Sequence, residues 1–251
     1  IILGGFIMKI FAHRGLSGFY PENTMLSFKK CINLDLSGIE LDVQKTKDNH
    51  LVVIHDEKVD RTFNSTGYVK NMTLKELKSL NSSFNGYENN PECKIPTLKE
   101  VLILFKPTKF IINIELKNNK INNKNLEEDV VNLIKELKME RRVIISSFKM
   151  KSVKKIKKIC PKLKTAYLIS EKFYKLRIKN LIFYKMVSNK CSFANPSFVL
   201  IDKQFIKKCH GRDLEVLSYT VNNIENYQKL SNLKCDGIFT DYPNIFSTIN
   251  K

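Results

Sequence analysis

The feature that most restricts the fold is an alternation of two kinds of segment along the chain. Short β-rich runs occur at KIFAHRG (9–15), GIELDVQ (38–44), LVVIH (51–55), FIINIELK (110–117), VIISSF (143–148), TAYLIS (165–170), CSFANPSF (191–198), EVLSYTV (215–221) and DGIFTDY (236–242). Between them lie segments with apolar residues at helical spacing, at 24–35, 97–106, 126–138, 150–160 and 223–232. Strands alternating with helices predict βα units and a parallel sheet. The runs 38–44 and 51–55 lie too close for a crossover helix. They read as one long strand bent at Asp48-Asn49, or as a strand with a short extension. Eight strand positions remain, the number a closed barrel needs. The 251 residues match the typical length of such a barrel, ~250 residues. An open doubly wound sheet would carry a glycine-rich turn after its first strand. Here the first run ends in HRG, with no GxGxxG. The expected fold is α/β, a single (β/α)8 TIM barrel.

Residues 56–96 break the rhythm. They hold a turn-rich NSTGYVKN, a helical TLKELKSLN (73–81) and the loop NGYENNPEC. They are expected as a small insertion after the second strand, sitting over the barrel mouth, either to contact substrate or to cover it. The apolar IILGGFI (1–7) is too short for a secretory signal and has no basic residues before it. It reads as an upstream extension or expression remnant before Met8, or as a strand plugging the barrel bottom. The domain proper is expected over 8–251.

Hydrophobic residues make up 43% of the chain, which supports a large core and argues against disorder. No stretch approaches the ~20 apolar residues that span a bilayer, so no stable membrane insertion is expected. The six cysteines form no CxxC or CxxH pair and read as reduced thiols of a cytoplasmic protein. The net charge of +18 attracts anions, whether nucleic acid, anionic lipid or a phosphorylated metabolite. Its lysines are spread along the whole chain, which favours a solvated basic surface over one designed patch.

The chemistry lies in the face alternation of the strands. Side chains along a strand point alternately to opposite faces. Glu40 and Asp42 therefore share one face, and Leu41 and Val43 the other. Asn113, Glu115 and Lys117 share a face opposite Ile112, Ile114 and Leu116. The apolar sets suit the helix ring, which sends the acids into the barrel. Buried carboxylates are costly unless paired or bound to a cation. Glu40, Asp42 and Glu115 together make a hard-oxygen cluster suited to one divalent ion, Mg²⁺, Ca²⁺ or Mn²⁺. Any one of these acids alone would read as a rim salt bridge. His13 and His55 each close a β-rich run and reach the same rim, where barrel chemistry sits. Two histidines beside a metal suit general acid and base catalysis. His50 and His210 read as structural. Arg14 and Lys117 supply fixed positive charge for a phosphate.

At these residues the sequence resembles the glycerophosphodiester phosphodiesterase family. The matching strings are AHRG (12–15), PENT (21–24), GIELDVQKTKD (38–48), VVIHD (52–56), DRTFNSTGYV (60–69), IPTLKEVL (95–102), NIELK (113–117), SYTVN (218–222) and DGIFTDYP (236–243), in the family's order. The resemblance implies hydrolysis of deacylated glycerophospholipids to sn-glycerol 3-phosphate and an alcohol such as choline or ethanolamine. It implies metal ligation by Glu40, Asp42 and Glu115, acid and base roles for His13 and His55, and phosphate contacts from Arg14 and Lys117. It implies a substrate contact at Tyr219 and a supporting hydrogen bond from Asn23 to the histidine or arginine. One route in enzymes of this architecture has the adjacent glycerol hydroxyl attack phosphorus first, giving a cyclic phosphate that water then opens. The family often has tryptophan where Tyr219 stands, and this chain has no tryptophan. Asn49 and Ser65 stand at turn positions where glycine is common.

Two other readings remain. One keeps the site but moves it to lipid phosphodiesters, as a phospholipase- or lyase-like barrel that docks on anionic membranes. No apolar insertion helix or lipid anchor supports it. The other is a basic nucleic-acid-binding protein. It lacks a helix-turn-helix or zinc-finger pattern and leaves the strand-end acids unexplained. The expected partner is a small glycerophosphodiester and no nucleic acid.

Overall fold

The computed structural model describes residues 7–118, 123–174 and 179–249 of the 251-residue chain. Nine strands are found among the described residues: β1 Lys9–His13, β2 Gly38–Lys45, β3 Leu51–Val53, β4 Ile111–Leu116, β5 Val143–Ser147, β6 Lys164–Ile169, β7 Phe193–Pro196, β8 Glu215–Ser218 and β9 Gly237–Thr240. Eight of them pair in parallel in the order β1-β9-β8-β7-β6-β5-β4-β2, and β1 pairs back onto β2. The sheet is thus a closed eight-stranded barrel, as the alternation predicts.

The ninth strand corrects one expectation. Runs 38–44 and 51–55 are not one bent strand but a hairpin, with β3 antiparallel to β2 and Val43 opposite Val53. The chain reverses through Asn49, whose φ of 66° is left-handed. Asparagine adopts that region at lower cost than most residues. The count of eight barrel strands survives because β3 only extends the edge of β2.

Helices α1 (Met25–Cys31), α2 (Leu74–Ser79), α3 (Leu98–Phe105), α4 (Leu126–Glu136), α5 (Met150–Ile159), α6 (Glu171–Tyr174), α7 (Lys179–Ser188), α8 (Lys203–His210), α9 (Ile224–Asn232) and α10 (Pro243–Ile249) follow the strands or the insertion. Two start with the same tetrapeptide. In Thr73-Leu-Lys-Glu76 and Thr97-Leu-Lys-Glu100 the threonine accepts the glutamate N–H, and the glutamate accepts the threonine N–H. Each pair satisfies two of the orphan donors that every helix start presents. Helices α8 and α10 fall outside the segments whose apolar spacing predicts a helix. The first is only two turns long, capped by Asp202, and buries just Phe205, Ile206 and Cys209.

The core has two layers. Between sheet and helices, Leu41, Val43, Ile112, Ile114 and Leu116 pack with Phe28, Leu102, Phe105, Val130 and Ile134. Inside the barrel, Phe11, Ile144, Ala166, Phe193, Leu217 and Phe239 fill the lumen. Of these, Phe11, Ile144, Leu217 and Phe239 stand two residues before His13, Ser146, Tyr219 and Asp241. The lower lumen is therefore apolar, and the inward polar residues sit one layer above it. Segment 56–96 has its own small core, in which Val59, Phe63, Val69, Leu77 and Ile95 pack on Val52 and Ile54 of the hairpin. Of IILGGFI, residues 1–6 lie outside the described residues; Ile7 is exposed and Met8 buried.

Barrel closure demands a bare backbone at Gly38. A Cβ there would lie 2.0 Å from the carbonyl oxygen of Ile111 and 2.9 Å from the Phe11 ring. Neither the neighbouring strand nor the packed ring can yield cheaply. We expect Gly38→Ala to lower the unfolding free energy by about 3 kcal/mol, the upper end for overpacking, measured by urea denaturation. An unchanged midpoint would mean that β2 and β4 can part without loss.

Candidate active site

The C-terminal rim of the barrel opens into a cleft of ≈240 Å³. Its walls carry His13, Arg14, Glu40, His55, Asn113, Glu115 and Lys117, with Phe148 and Tyr219 on one side. Strand register brings these residues together. His13 lies beside Glu40 on β1 and β2, and Asp42 lies beside Glu115 on β2 and β4.

The three acids converge. One oxygen from each of Glu40, Asp42 and Glu115 lies within 4.8 Å of the other two. They are also buried, at 4%, 1% and 8% exposure, so their charges must be answered locally. Asp42 is the best served. Asn23 Nδ2 donates to it at 2.9 Å, and Arg14 Nε and Lys117 Nζ each lie 3.4 Å away. Burial opposes its ionisation, but Lys117 and Arg14 prevail and hold its carboxyl well below the usual range. Glu115 pairs with Lys117 at 2.8 Å, yet burial still lifts its carboxyl above normal. Glu40 accepts the Arg14 backbone N–H at 3.2 Å and sits 3.9 Å from His13 Nε2. Burial, then repulsion from Asp42 and Glu115, raises it well above normal.

This donor set fits a hard divalent cation. Three carboxylate oxygens would leave places for phosphate and water in the coordination of Mg²⁺ or Ca²⁺. A second observation agrees. Asn113, opposite Glu40 in the register, has a buried Oδ1 without a hydrogen-bond partner, while its Nδ2 donates to Ser146. An orphaned oxygen in a polar cleft is what an ion or its bound water would satisfy.

Each rim histidine is backed by a carboxylate. His13 Nδ1 lies 2.6 Å from Asp241 Oδ1, and His55 Nδ1 lies 2.6 Å from Asp56 Oδ1. Burial works against Asp241, but its hydrogen bond to His13 and its electrostatic interaction with that ring bring it down to about 2. Asp56 is likewise held low, its burial outweighed by Arg61 and His55. Ionised carboxylates only accept, so both Nδ1 atoms carry the proton. That leaves each Nε2 to exchange protons. The loop bearing His55 is fixed by Gln44, whose Nε2 donates to the carbonyls of Ile54, His55 and Asp56 at 3.0, 3.2 and 2.6 Å.

The HRG turn places Arg14. Its φ is 58°, left-handed for a non-glycine, and Gly15 follows at 83°. A Cβ on Gly15 would lie 2.4 Å from Ser27 Oγ, so only glycine fits. The turn is held by Asn23 N–H and Ser27 Oγ, both donating to the Arg14 carbonyl, at 3.0 and 3.1 Å.

The structure thus gathers His13, Arg14, Glu40, Asp42, His55, Glu115 and Lys117 as the sequence pattern expects. Asn23 differs in detail. Its side chain supports Asp42 rather than a histidine or the Arg14 guanidinium, and only its backbone reaches Arg14. Tyr219 lines the cleft, but its hydroxyl donates to the Ile169 carbonyl at 3.0 Å. It therefore offers a ring, packed edge-on against Phe148 at 6.1 Å. His210 pairs with Asp236 at 2.8 Å and His50 lies 3.7 Å from Asp48; neither lines the cleft. Asp56, Asp241, Glu22, Arg61 and Gln44 carry no role that the sequence pattern alone assigns. Asp56 follows His55 directly and could have been suspected. Asp241 meets His13 only because β9 closes against β1.

Comparison with known proteins agrees with this geometry. Residues 13–245 match the Glycerophosphoryl diester phosphodiesterase family. A glycerophosphodiester phosphodiesterase of Bacillus altitudinis is 38% identical over 236 residues, covering 94% of this chain and 95% of that protein. One of Caldanaerobacter subterraneus subsp. tengcongensis is 38% identical over 234 residues, covering 93% and 94%. Among solved structures, an Oleispira antarctica phosphodiesterase in complex with the product sn-glycerol-3-phosphate aligns with a TM-score of 0.83 at 27% identity, over 98% of each chain. With the family matched across nearly its whole length and the barrel and rim residues in place, the chain belongs to the glycerophosphoryl diester phosphodiesterase family of hydrolases.

Proposed function

We propose that the protein hydrolyses glycerophosphodiesters to sn-glycerol 3-phosphate and a free alcohol, using one divalent cation and two histidines. The observation that carries this reading is the convergence of Glu40, Asp42 and Glu115 within 4.8 Å, in one cleft with two carboxylate-backed histidines. The named activity of the relatives and the product bound to the Oleispira antarctica enzyme support the same substrate class.

The residues divide the work. Glu40, Asp42 and Glu115 would hold the cation, which supplies Lewis acidity toward a non-bridging phosphate oxygen. Arg14 and Lys117 bind the phosphate and offset charge as it grows on those oxygens. One histidine Nε2 takes the proton from the attacking oxygen as its bond to phosphorus forms. The other gives a proton to the alcohol oxygen as the phosphorus–oxygen ester bond breaks. Asp241 and Asp56 keep both imidazoles in the required tautomer and stabilise them when charged. Tyr219 and Phe148 close one wall with apolar surface, which limits water and strengthens the charges inside. Six free, buried cysteines support a reducing, cytoplasmic setting, and no helix among the described residues is long and apolar enough to cross a membrane.

Two measurements test the reading. Turnover of glycerophosphocholine and glycerophosphoethanolamine should vanish in EDTA and return with Mg²⁺, Ca²⁺ or Mn²⁺; a rate that survives chelation would remove the carboxylate-cluster mechanism. His13→Ala and His55→Ala should each lower kcat by ~10²-fold or more, the scale of acid–base groups. A near-normal rate in either variant would take that histidine out of the chemistry.

A further inference from the structure

Arg61 belongs to the insertion, outside the barrel strands and outside the cleft walls. Its guanidinium nonetheless joins two carboxylates that each serve a site residue. Nε donates to Asp56 Oδ2 at 2.6 Å, and the other oxygen of Asp56 holds His55 Nδ1 at 2.6 Å. Nη1 and Nη2 donate to Glu22 Oε2 and Oε1 at 2.7 and 2.8 Å. Glu22 Oε1 in turn accepts from Arg14 Nη1 at 2.9 Å. The chain His55–Asp56–Arg61–Glu22–Arg14 is therefore continuous.

We propose that Arg61 is a positioning residue that sets His55 and Arg14 together, so that the insertion tunes proton transfer and phosphate grip through one side chain. This assignment rests on the function proposed above. Only arginine has the planar fork to meet one carboxylate with two parallel bonds and a second with its Nε. Without Arg61, Asp56 is free to rotate about χ1 and carry the His55 ring with it. Glu22 loses both bonds that fix its plane, and the Arg14 guanidinium loses its oriented partner. Burial weighs against charge on Glu22, yet Arg61 and Arg14 keep it below the usual carboxylate range. The Arg61 side chain is 48% exposed, and ion pairs so open to water add little to stability. Its contribution should appear in kinetics rather than in unfolding.

The effects should separate by arm. Asp56→Asn cuts the histidine arm and should lower kcat with little change in KM. Glu22→Gln cuts the arginine arm and should raise KM with a smaller change in kcat. Arg61→Gln should do both, by about tenfold each, the scale of a modest loss of alignment, while the Tm moves little. Arg61→Lys keeps the charge without the fork and should not restore both constants. Adding Arg61→Gln to Glu22→Gln should raise KM little further, since the two act through one path. The assay uses glycerophosphocholine with the full chain and divalent metal. Wild-type protein without turnover would overturn the function and this role with it. An active wild type, with Arg61→Gln unchanged in both constants, would overturn the positioning role alone. So would an Arg61→Gln loss confined to Tm, full rescue by lysine, or KM effects of Glu22→Gln and Arg61→Gln that multiply in the double variant.

Discussion

Three carboxylates packed within 4.8 Å in a buried site are the strain around which the rest of the molecule is arranged. Two unit charges 4 Å apart repel by about 4 kcal/mol at an effective dielectric of ~20. Lys117 and Arg14 answer much of this at Asp42 but little of it at Glu40, whose carboxyl remains lifted well above normal. Such a cluster survives only on a scaffold that cannot relax it. The barrel provides one, because β2 and β4, the strands that carry the acids, each run between two parallel neighbours. A cation bound among the three carboxylates would offset that repulsion.

The layering of the lumen makes this possible. Phe11, Phe239, Ile144 and Leu217 pack together beneath the site and give it an apolar floor. The polar residues gather toward the C-terminal rim, with Glu40 beside Asn113 at one level and Asp42 beside Glu115 at the next. A low-dielectric floor strengthens every charge above it. It strengthens repulsion as much as attraction, which is why the cations, the asparagine and the backbone N–H donors around the acids must be placed with care.

Around the site lie three further carboxylates, Asp241, Asp56 and Glu22. None of them faces the cation site, and each fixes the orientation of a group that lines the cleft. Their anchors come from three distant parts of the chain: the start of the loop after β9, the segment after β3 and the loop before α1. Arg61 links two of them. The small apolar core of segment 56–96 holds the stretch of chain from which Arg61 reaches them.

The residues themselves determined the strand and helix alternation, the count of eight, and which face of β2 and β4 would carry acids. These follow from side-chain period and from the cost of burying charge, both local properties. For that reason Glu40, Asp42, Glu115, His13 and His55 were legible before any coordinates. The reversal at Asn49 was not, since a bend and a hairpin share the same short polar spacing. Nor were the partners Asp241 to His13, Arg61 to Glu22 and Asn23 to Asp42. These pairs are separated by 228, 39 and 19 residues, and no periodicity links them. Only closure of the barrel, which sets β9 against β1 and folds the insertion back on the rim, brings them within hydrogen-bond reach.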